Sequence, residues 1–114
     1  LKSMVKKKYG NIIYISSSAS IDGNEGRSSY AASKAAINAQ AKVLSRELGR
    51  ANIRINVIAP GLTETDMMLN NTPKNIIEET ISKVSLKRVG RPEEIAKTAL
   101  YLVNDRYLKK FTKN

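Results

Sequence analysis

The sequence predicts an α/β protein whose doubly wound parallel sheet is incomplete in this chain. Two runs rich in β-forming residues, 10–17 and 53–59, are almost continuous in apolar side chains, as in strands buried on both faces. Between them lies a long stretch without proline or glycine that is long enough for a crossover helix. Strand, helix and strand in this order indicate a βαβ unit with parallel strands and a right-handed crossover. Because each buried strand needs further neighbours, one such unit does not close a core by itself.

The first strand ends in a serine cluster, and the segment after it is short of structure-forming residues. Residues 18–29 are small and polar with two glycines, which predicts a loop. The crossover helix is expected to begin at Ser28 or Ser29, because serine is a good N-cap, and to run to about Leu48. Gly49 then provides the expected helix stop.

The second half of the chain predicts one more strand and two more helices. The second strand ends abruptly at Pro60-Gly61, and residues 62–74 are expected to be irregular. Apolar residues at helical spacing predict a short amphipathic helix over 76–84. A last helix is predicted to begin at Pro92, which suits the first helical position, and to continue to about Val103.

Composition excludes several classes of protein. The chain has 114 residues, no cysteine and a formal net charge of +10. The basic residues cluster at the two ends and few aromatic residues interleave with them, which argues against a nucleic-acid-binding surface. No apolar run reaches the roughly 20 residues of a membrane span. The lack of cysteine fits a reducing cytoplasm.

Candidate functional residues converge on one edge of the predicted sheet. In an open parallel sheet, ligands bind beyond the carboxyl ends of the strands. Ser17 lies at the end of the first strand, Tyr30 begins the helix after it, and Pro60-Gly61 ends the second strand. As an alternative, Pro-Gly is simply a good strand terminator.

Tyr30 and Lys34 lie four residues apart and therefore on one face of a helix. A phenol is a weak acid–base catalyst at neutral pH, but a nearby ammonium group favours the phenolate form. A serine hydroxyl facing the same point would orient a carbonyl oxygen and stabilise developing negative charge. Taken alone, Tyr-x-x-x-Lys is also a common pair on helix surfaces.

Four segments together resemble the short-chain dehydrogenase/reductase family over about residues 3–105. They are Ser16-Ser17-Ser18, Tyr30-Ala31-Ala32-Ser33-Lys34, Asn56-Val57-Ile58-Ala59-Pro60-Gly61 and the stretch 88–96, with thirteen residues from Ser17 to Tyr30. Within the family, Pro60-Gly61-Leu62-Thr63-Glu64-Thr65-Asp66-Met67 is most similar to the 3-oxoacyl-acyl-carrier-protein reductases. The resemblance implies the C-terminal part of a Rossmann-type sheet over residues 1–105 and a basic tail foreign to the family over 106–114.

The resemblance also implies catalytic roles. Tyr30 would protonate a carbonyl oxygen as hydride arrives from a nicotinamide, so the implied activity is NAD(P)-dependent oxidoreduction between a carbonyl and a secondary alcohol. Lys34 would favour the phenolate form of Tyr30 and hydrogen-bond the nicotinamide ribose. Ser17 would hold the substrate carbonyl.

The implied cofactor is NADP or NAD, and the resemblance favours NADP. Pro60, Gly61, Leu62 and Thr63 would line the nicotinamide side, where glycine permits close approach of the backbone. Thr65 would place a hydroxyl near the carboxamide or the phosphates.

The implied substrate is a small-molecule or acyl-carrier-linked carbonyl compound, such as a 3-oxoacyl thioester of fatty acid biosynthesis. Residues 64–84 would form a mobile loop and helix that close over it. Asn24 and Arg27 would be substrate contacts, although plain solvated turn residues are an equal explanation. No nucleic acid, membrane or metal is implied.

Small side chains on several faces of the crossover helix indicate packing against another helix as well as the sheet, and the resemblance implies a homo-dimer or homo-tetramer. Alanine also serves helix propensity alone. The family's N-terminal half, with its glycine-rich pyrophosphate turn, has no counterpart in this sequence. This leaves a second hypothesis, a truncated and inactive remnant that acts only through self-association.

Overall fold

The computed structural model of the chain describes residues 1–23 and 25–106. Within them the elements follow the order α1 Lys2–Lys7, β1 Gly10–Ile15, α2 Ala19–Asp22, α3 Ser28–Leu48, a 3-10 turn Gly49–Ala51, β2 Ile53–Ile58, α4 Asp66–Asn71, α5 Lys74–Lys83 and α6 Pro92–Asn104. The two strands, the crossover helix and the two later helices that the sequence predicts are therefore present. The basic tail predicted for 106–114 lies, apart from Arg106, outside the described residues.

The two strands pair in parallel, which confirms the predicted βαβ unit. Gly10 lies opposite Ile53 and Ile15 lies opposite Ile58. Parallel strands cannot be joined by a tight turn, and α3 provides the crossover connection. The strands end at Ile15 and Ile58, slightly earlier than the predicted residues 17 and 59. The Ser16 amide donates a last hydrogen bond of 2.7 Å to the Ile58 carbonyl, and the chain then turns into α2.

Alternate side chains of β2 build the core. Ile53, Ile55 and Val57 face the same side and form the buried cluster together with Ala41 of α3. Partly buried residues of both strands and of α3 pack around this cluster. Burial of each such aliphatic side chain contributes about 1.5–3 kcal/mol, so β2 and α3 form the most stabilised part of the unit.

The two strands differ in burial, which corrects one prediction. Every residue of β2 is buried, because α3 and α6 pack against it. In β1 only Gly10 is buried, and Ile15 is 46% exposed. Two-sided burial is therefore confirmed for β2 and wrong for β1, whose side chains the helices of the described residues cover only in part.

Both ends of α3 are built differently from the prediction. The helix begins at Ser28, but Arg27 is its N-cap residue and no side chain caps it, so the expected serine cap is wrong. Gly49 keeps helical dihedral angles (φ −57°, ψ −36°) and the chain continues into the 3-10 turn. The reversal comes at Asn52, which adopts the left-handed conformation at φ 56° and donates its amide to the Gly49 carbonyl. Asparagine tolerates this conformation better than most residues.

Three short helices are not predicted by the sequence patterns. The loop expected over 18–29 contains α2, and the irregular segment expected over 62–74 contains α4; α1 lies in the basic N-terminal segment. These helices have four to six residues, too few for a helical spacing of apolar residues to show. Helix α4 does carry a readable signal, because the Thr65 side chain accepts a hydrogen bond from the Met68 amide as an N-cap.

Two polar side chains of the sheet hold the end of α6. Asn11 and Arg54 lie opposite each other in the strand register. The Asn11 amide donates to the Leu102 carbonyl at 2.9 Å, and the buried Arg54 guanidinium donates to the carbonyls of Leu102 (2.8 Å) and Val103 (3.1 Å). The last carbonyls of a helix have no partner within it and carry partial negative charge, so a cation there is favourable.

The described part of the chain is less compact than a closed domain. Its Cα radius of gyration is 16.2 Å, whereas a compact domain of this length has about 13 Å. Large apolar side chains such as Ile21 and Leu86 are about three-quarters exposed, at 76% and 75%. None of the helices in the described ranges is long and apolar enough to cross a membrane.

We predict that Arg54→Met lowers the free energy of unfolding by about 2–3 kcal/mol, because it removes the charge-assisted hydrogen bonds that a buried guanidinium makes to the Leu102 and Val103 carbonyls. Arg54→Lys should cost less, since one ammonium group replaces part of the fork. Urea unfolding measures both. The exposed Arg46→Met is the control and should stay within about 0.5 kcal/mol of the wild type. Equal unfolding midpoints for Arg54→Met and Arg46→Met would contradict the anchoring role.

Candidate active site

The segments that follow β1 and β2 run side by side beyond the sheet. After Ser16 bonds to Ile58, the Ser18 amide donates to the Pro60 carbonyl at 2.9 Å. The serine cluster and the Pro60-Gly61 turn are thus held together by backbone hydrogen bonds. This is the edge at which the sequence predicts ligand binding.

The Ser17 hydroxyl lies in the turn between β1 and α2. Its oxygen accepts a hydrogen bond from the Ala19 amide at 3.2 Å. The Ser17 carbonyl accepts two bonds from Ser20, one from the amide (3.0 Å) and one from the hydroxyl (2.6 Å). With an acceptor lone pair of Ser17 Oγ engaged by an amide, its own hydrogen remains to be donated elsewhere.

Tyr30 and Lys34 lie on successive turns at the start of α3. The Lys34 Nζ atom is 5.7 Å from the centroid of the Tyr30 ring, within cation–π range. The same Nζ donates to the Ile15 carbonyl at 3.0 Å, which ties the ammonium group to the end of β1. An ammonium has three donors, so two remain. Tyr30 is 44% exposed.

An open cleft of about 420 Å³ adjoins Tyr30. Its walls include Arg27, one of the two residues that the sequence suggests as substrate contacts. All of its walls come from residues 26–30, so Ser17, Lys34 and Pro60-Gly61 do not line this cleft. The other suggested contact, Asn24, lies outside the described residues.

The segment predicted to face a nicotinamide leaves room beside its glycine. A Cβ added at Gly61 would meet only the Ser18 hydroxyl, at 4.0 Å. The Thr63 hydroxyl donates to the Gly61 carbonyl at 3.1 Å, and the Leu62 carbonyl accepts from the Gly90 amide at 2.9 Å. Thr65 caps α4, so its hydroxyl hydrogen is free of that bond. A flat ring has space to approach this backbone, and the segment fits a nicotinamide in that respect.

The segment 65–89 leaves and rejoins the site at one point. Thr63 and Gly90 form an isolated parallel bridge, and the Glu64 amide donates to the Gly90 carbonyl at 2.9 Å. Helices α4 and α5 lie between these two points of the chain, in the excursion formed by residues 65–89. We call this excursion the lid segment, and its two ends are fixed relative to each other by the bridge.

An ion pair next to the bridge was not foreseen from the sequence. Arg88 binds Glu94 through both carboxylate oxygens, at 2.6 and 2.8 Å. Glu94 also accepts from the Arg91 amide at 2.8 Å. The hydrogen bond from Arg88 and then the one from the Arg91 backbone lower the pKa of Glu94 to about 2. The only sequence signal is the acid three residues after the N-cap of α6, typical of a capping box.

Two further residues at the site were also not foreseen. Ser20 and Asn38 connect the Ser17 turn to α3, with a hydrogen bond of 2.9 Å from the Asn38 amide to the Ser20 hydroxyl. Neither belongs to a spacing pattern that indicates chemistry. In the described ranges, no group of three or more His, Cys, Asp or Glu side chains is placed to hold a metal ion.

Comparison with known proteins finds related sequences over nearly the whole chain. A family model described as enoyl-(acyl carrier protein) reductase matches residues 1–109. The 3-oxoacyl-(acyl-carrier-protein) reductase of Chlamydia trachomatis is 49% identical over 107 residues, which are 92% of this chain and 42% of that protein. The Thermotoga maritima reductase of the same name is 41% identical over 102 residues, or 90% and 41% of the two chains.

A third relative widens the range of named substrates. The 3alpha-hydroxysteroid dehydrogenase of Mediterraneibacter gnavus is 44% identical over 104 residues, or 91% and 41% of the two chains. This chain belongs to the short-chain dehydrogenase/reductase family, as the sequence motifs predict. It spans about two fifths of the length of the curated relatives that it matches.

We predict that Glu94→Gln lowers stability at neutral pH and removes a pH-dependent contribution. The folded-state pKa of Glu94 is depressed to about 2, so the stabilisation is present above the unfolded value of about 4.5 and is lost as pH falls from there towards 2. The difference in Tm between wild type and Glu94→Gln should therefore shrink over that window. Glu93→Gln, one residue away, is the control. A Tm difference that is constant from pH 7 to pH 2 would show that Glu94 has no such role.

Proposed function

We propose that this chain forms the catalytic segment of an NAD(P)H-dependent reductase that converts a carbonyl group, and specifically a 3-oxoacyl thioester, to the secondary alcohol. The observation that supports this most directly is the placement of Tyr30 and Lys34 at the sheet edge, with the Lys34 ammonium 5.7 Å from the Tyr30 ring and bonded to the end of β1. The serine turn and Pro60-Gly61 meet at the same edge.

Tyr30 is the proposed general acid. As the carbonyl carbon accepts a hydride, its oxygen gains negative charge and takes the phenolic proton. The resulting phenolate is stabilised by the Lys34 ammonium, which the Ile15 carbonyl holds in place at 3.0 Å. The two remaining Lys34 donors are available for hydroxyl groups of a bound ribose.

Ser17 is the proposed hydrogen-bond donor to the substrate oxygen. The Ala19 amide already occupies an acceptor position of Ser17 Oγ, which leaves the hydroxyl to act as a donor. A donor placed where charge develops lowers the barrier without reorganisation during the reaction.

The proposed cofactor site follows the open face of Gly61. When bound, a reduced nicotinamide supplies the hydride. Gly61 allows close approach, and the Thr63 hydroxyl, which donates to the Gly61 carbonyl, retains lone pairs to accept from a carboxamide NH₂ group. Pro60 and Leu62 flank this position, and Thr65 remains a further proposed contact. The proposed NADP preference rests on the family resemblance, and the proposed cytoplasmic location rests on the lack of cysteine.

The proposed substrate is a 3-oxoacyl group on an acyl carrier, as in the names of two relatives, one of them 49% identical. The lid segment presents exposed apolar side chains, with Met67 74% and Leu86 75% exposed, which suit contact with an acyl chain. The matching family model is described as an enoyl reductase. The 3-oxoacyl group is proposed in preference to the enoyl group because the two reductases that are 49% and 41% identical to this chain are named for the 3-oxoacyl substrate.

We predict that Tyr30→Phe lowers kcat for NAD(P)H-dependent reduction of a 3-oxoacyl thioester by about 10²–10⁴-fold, the usual contribution of a general acid. The measurement is NAD(P)H oxidation by the protein at its full native length. Circular dichroism should show an intact fold, because the phenol is exposed. Tyr101→Phe, 60% exposed on α6, is the matched control and should keep full activity.

Three outcomes would contradict this proposal. Unchanged turnover by Tyr30→Phe would remove Tyr30 from the mechanism. Reduction of the enoyl but not of the 3-oxoacyl thioester would overturn the substrate class. Absence of NAD(P)H oxidation by the wild-type protein with either thioester would favour the inactive remnant.

We also propose that α3 packs against α3 of a second copy. Its outward stripe consists of Ala32, Ala36, Ala39 and Val43, all exposed, while Ala41 and the residues in phase with it face the sheet. Val43 is 53% exposed. Small residues along one stripe let two helices approach closely, and this supports a dimer or a tetramer.

We predict that Ala39→Arg converts this oligomer to monomers, because a long charged side chain would have to be buried where the helices meet. Light scattering coupled to size-exclusion chromatography measures the mass. Ala96→Arg makes the same change at an exposed position of α6 and should leave the mass unchanged. An unchanged mass for Ala39→Arg would place the contact elsewhere.

A further inference from the structure

A hydrogen-bonded chain of side chains joins the Ser17 turn to α3. The Ser20 hydroxyl lies at its centre and donates to the Ser17 carbonyl at 2.6 Å. It accepts from the Asn38 side-chain amide at 2.9 Å. Beside it, the buried Ser16 hydroxyl donates to the Lys34 carbonyl at 3.2 Å.

The direction of these bonds follows from the number of hydrogens. A serine hydroxyl has one hydrogen, and that of Ser20 is used by the Ser17 carbonyl. Ser20 must therefore accept from Asn38, which fixes the amide with Nδ2 towards the serine. The Asn38 Oδ1 atom is then buried without a hydrogen-bond partner among the residues that the structure describes. An unpaired buried acceptor is unfavourable, so burial of this amide needs a compensating role for its Nδ2 group.

We propose that Asn38 and Ser20 are positioning residues that hold the Ser17 hydroxyl in register with Tyr30 and Lys34. Asn38 follows Lys34 by one helical turn. The serine turn is therefore bonded to α3 at two successive turns, through Ser16 to Lys34 and through Ser20 to Asn38. This assignment rests on the proposed reductase function, in which Ser17 and Tyr30 act on one oxygen atom.

The requirement for such positioning comes from the proposed chemistry. A displacement of about 1 Å at a reacting group can cost about 100-fold in rate. Ser17 lies in a short turn, and its hydroxyl is oriented by one hydrogen bond of 3.2 Å from the Ala19 amide. The two Ser20 bonds to the Ser17 carbonyl set the backbone from which that hydroxyl projects. Asn38 in turn orients the Ser20 hydroxyl.

A purely structural role makes a different prediction, and Ser45 provides the comparison. Ser45 is a buried serine on the same helix, 2% exposed, and its hydroxyl bonds to the Lys42 carbonyl within α3. Ser45→Ala removes a buried hydrogen bond of α3 that has no connection to the Ser17 turn. It therefore serves as the matched control for stability without positioning.

The test measures steady-state kinetics with NAD(P)H and a 3-oxoacyl thioester, using the protein at its full native length. Ser20→Ala and Asn38→Leu should each lower kcat about tenfold with KM within about twofold, since the lost interaction acts on the reacting geometry. The kcat of the double variant should fall no further than that of either single variant, because the two residues act as one hydrogen-bonded unit. Ser20→Thr keeps the hydroxyl and should keep the activity, and Ser45→Ala should keep it too. Multiplied losses in the double variant, or losses in Ser45→Ala equal to those in Ser20→Ala, would overturn the proposal.

A second readout does not need turnover. Amide hydrogen exchange at Ala19 reports the bond to Ser17 Oγ. Asn38→Leu and Ser20→Ala should each speed this exchange several-fold relative to Ser45→Ala, and equal exchange in all three would overturn the positioning role. If the wild-type protein is inactive and the two variants still exchange faster, the reductase function is refuted and the positioning of Ser17 by Ser20 and Asn38 stands.

Discussion

The parallel pairing of β1 with β2 is the constraint from which the site geometry follows. Because the strands run in the same direction, both carboxyl ends emerge at one edge of the sheet. The crossover helix must start near that edge to return along the sheet, which places the Tyr30–Lys34 turn there as well. Residues 13 to 43 positions apart along the chain, such as Ser17, Tyr30 and Pro60, are brought to one edge of the sheet by topology alone.

Local hydrogen bonds then convert this convergence into a defined arrangement. The strand ends are joined by the bond from Ser18 to Pro60, and the helix is joined to the strand by the bond from Lys34 to Ile15. Both bonds use backbone carbonyls as acceptors, so they depend on the path of the chain rather than on the identity of the partner residue. The side-chain bond from Asn38 to Ser20 is different, since it requires those two residue types. This is why the network around Ser20 is a property of this sequence as much as of its fold.

The parts that the sequence predicts well are those set by long patterns. The parallel unit and α3 follow from apolar runs and from a stretch free of glycine and proline, and both are present. Short helices such as α2 and α4 leave no periodic signal. The end of α3 depends on whether Gly49 or Asn52 takes the left-handed conformation, and both residue types tolerate it. For the same reason, the four-residue spacing of Tyr30 and Lys34 places them on one helix face from the sequence alone, whereas no sequence pattern marks Asn38. The role of Asn38 depends on which atom the Ser17 turn brings to it in space.

The proposed catalytic residues are held within one βαβ unit. Their hydrogen bonds therefore do not depend on whether the exposed faces of the sheet are covered. In the described part of the chain, the hydrogen bonds that hold Ser17, Tyr30 and Lys34 come from β1, α2, α3 and the turns between them. By contrast, α6 is held by hydrogen bonds from Arg54 of β2. The lid segment is held by the backbone hydrogen bonds of Gly90. The exposed apolar surface of β1 and of the lid segment can therefore be covered or left open without rearranging the three proposed catalytic side chains. A partner surface that covers these regions would add binding surface to a site whose hydrogen-bonding geometry is already established by the unit itself.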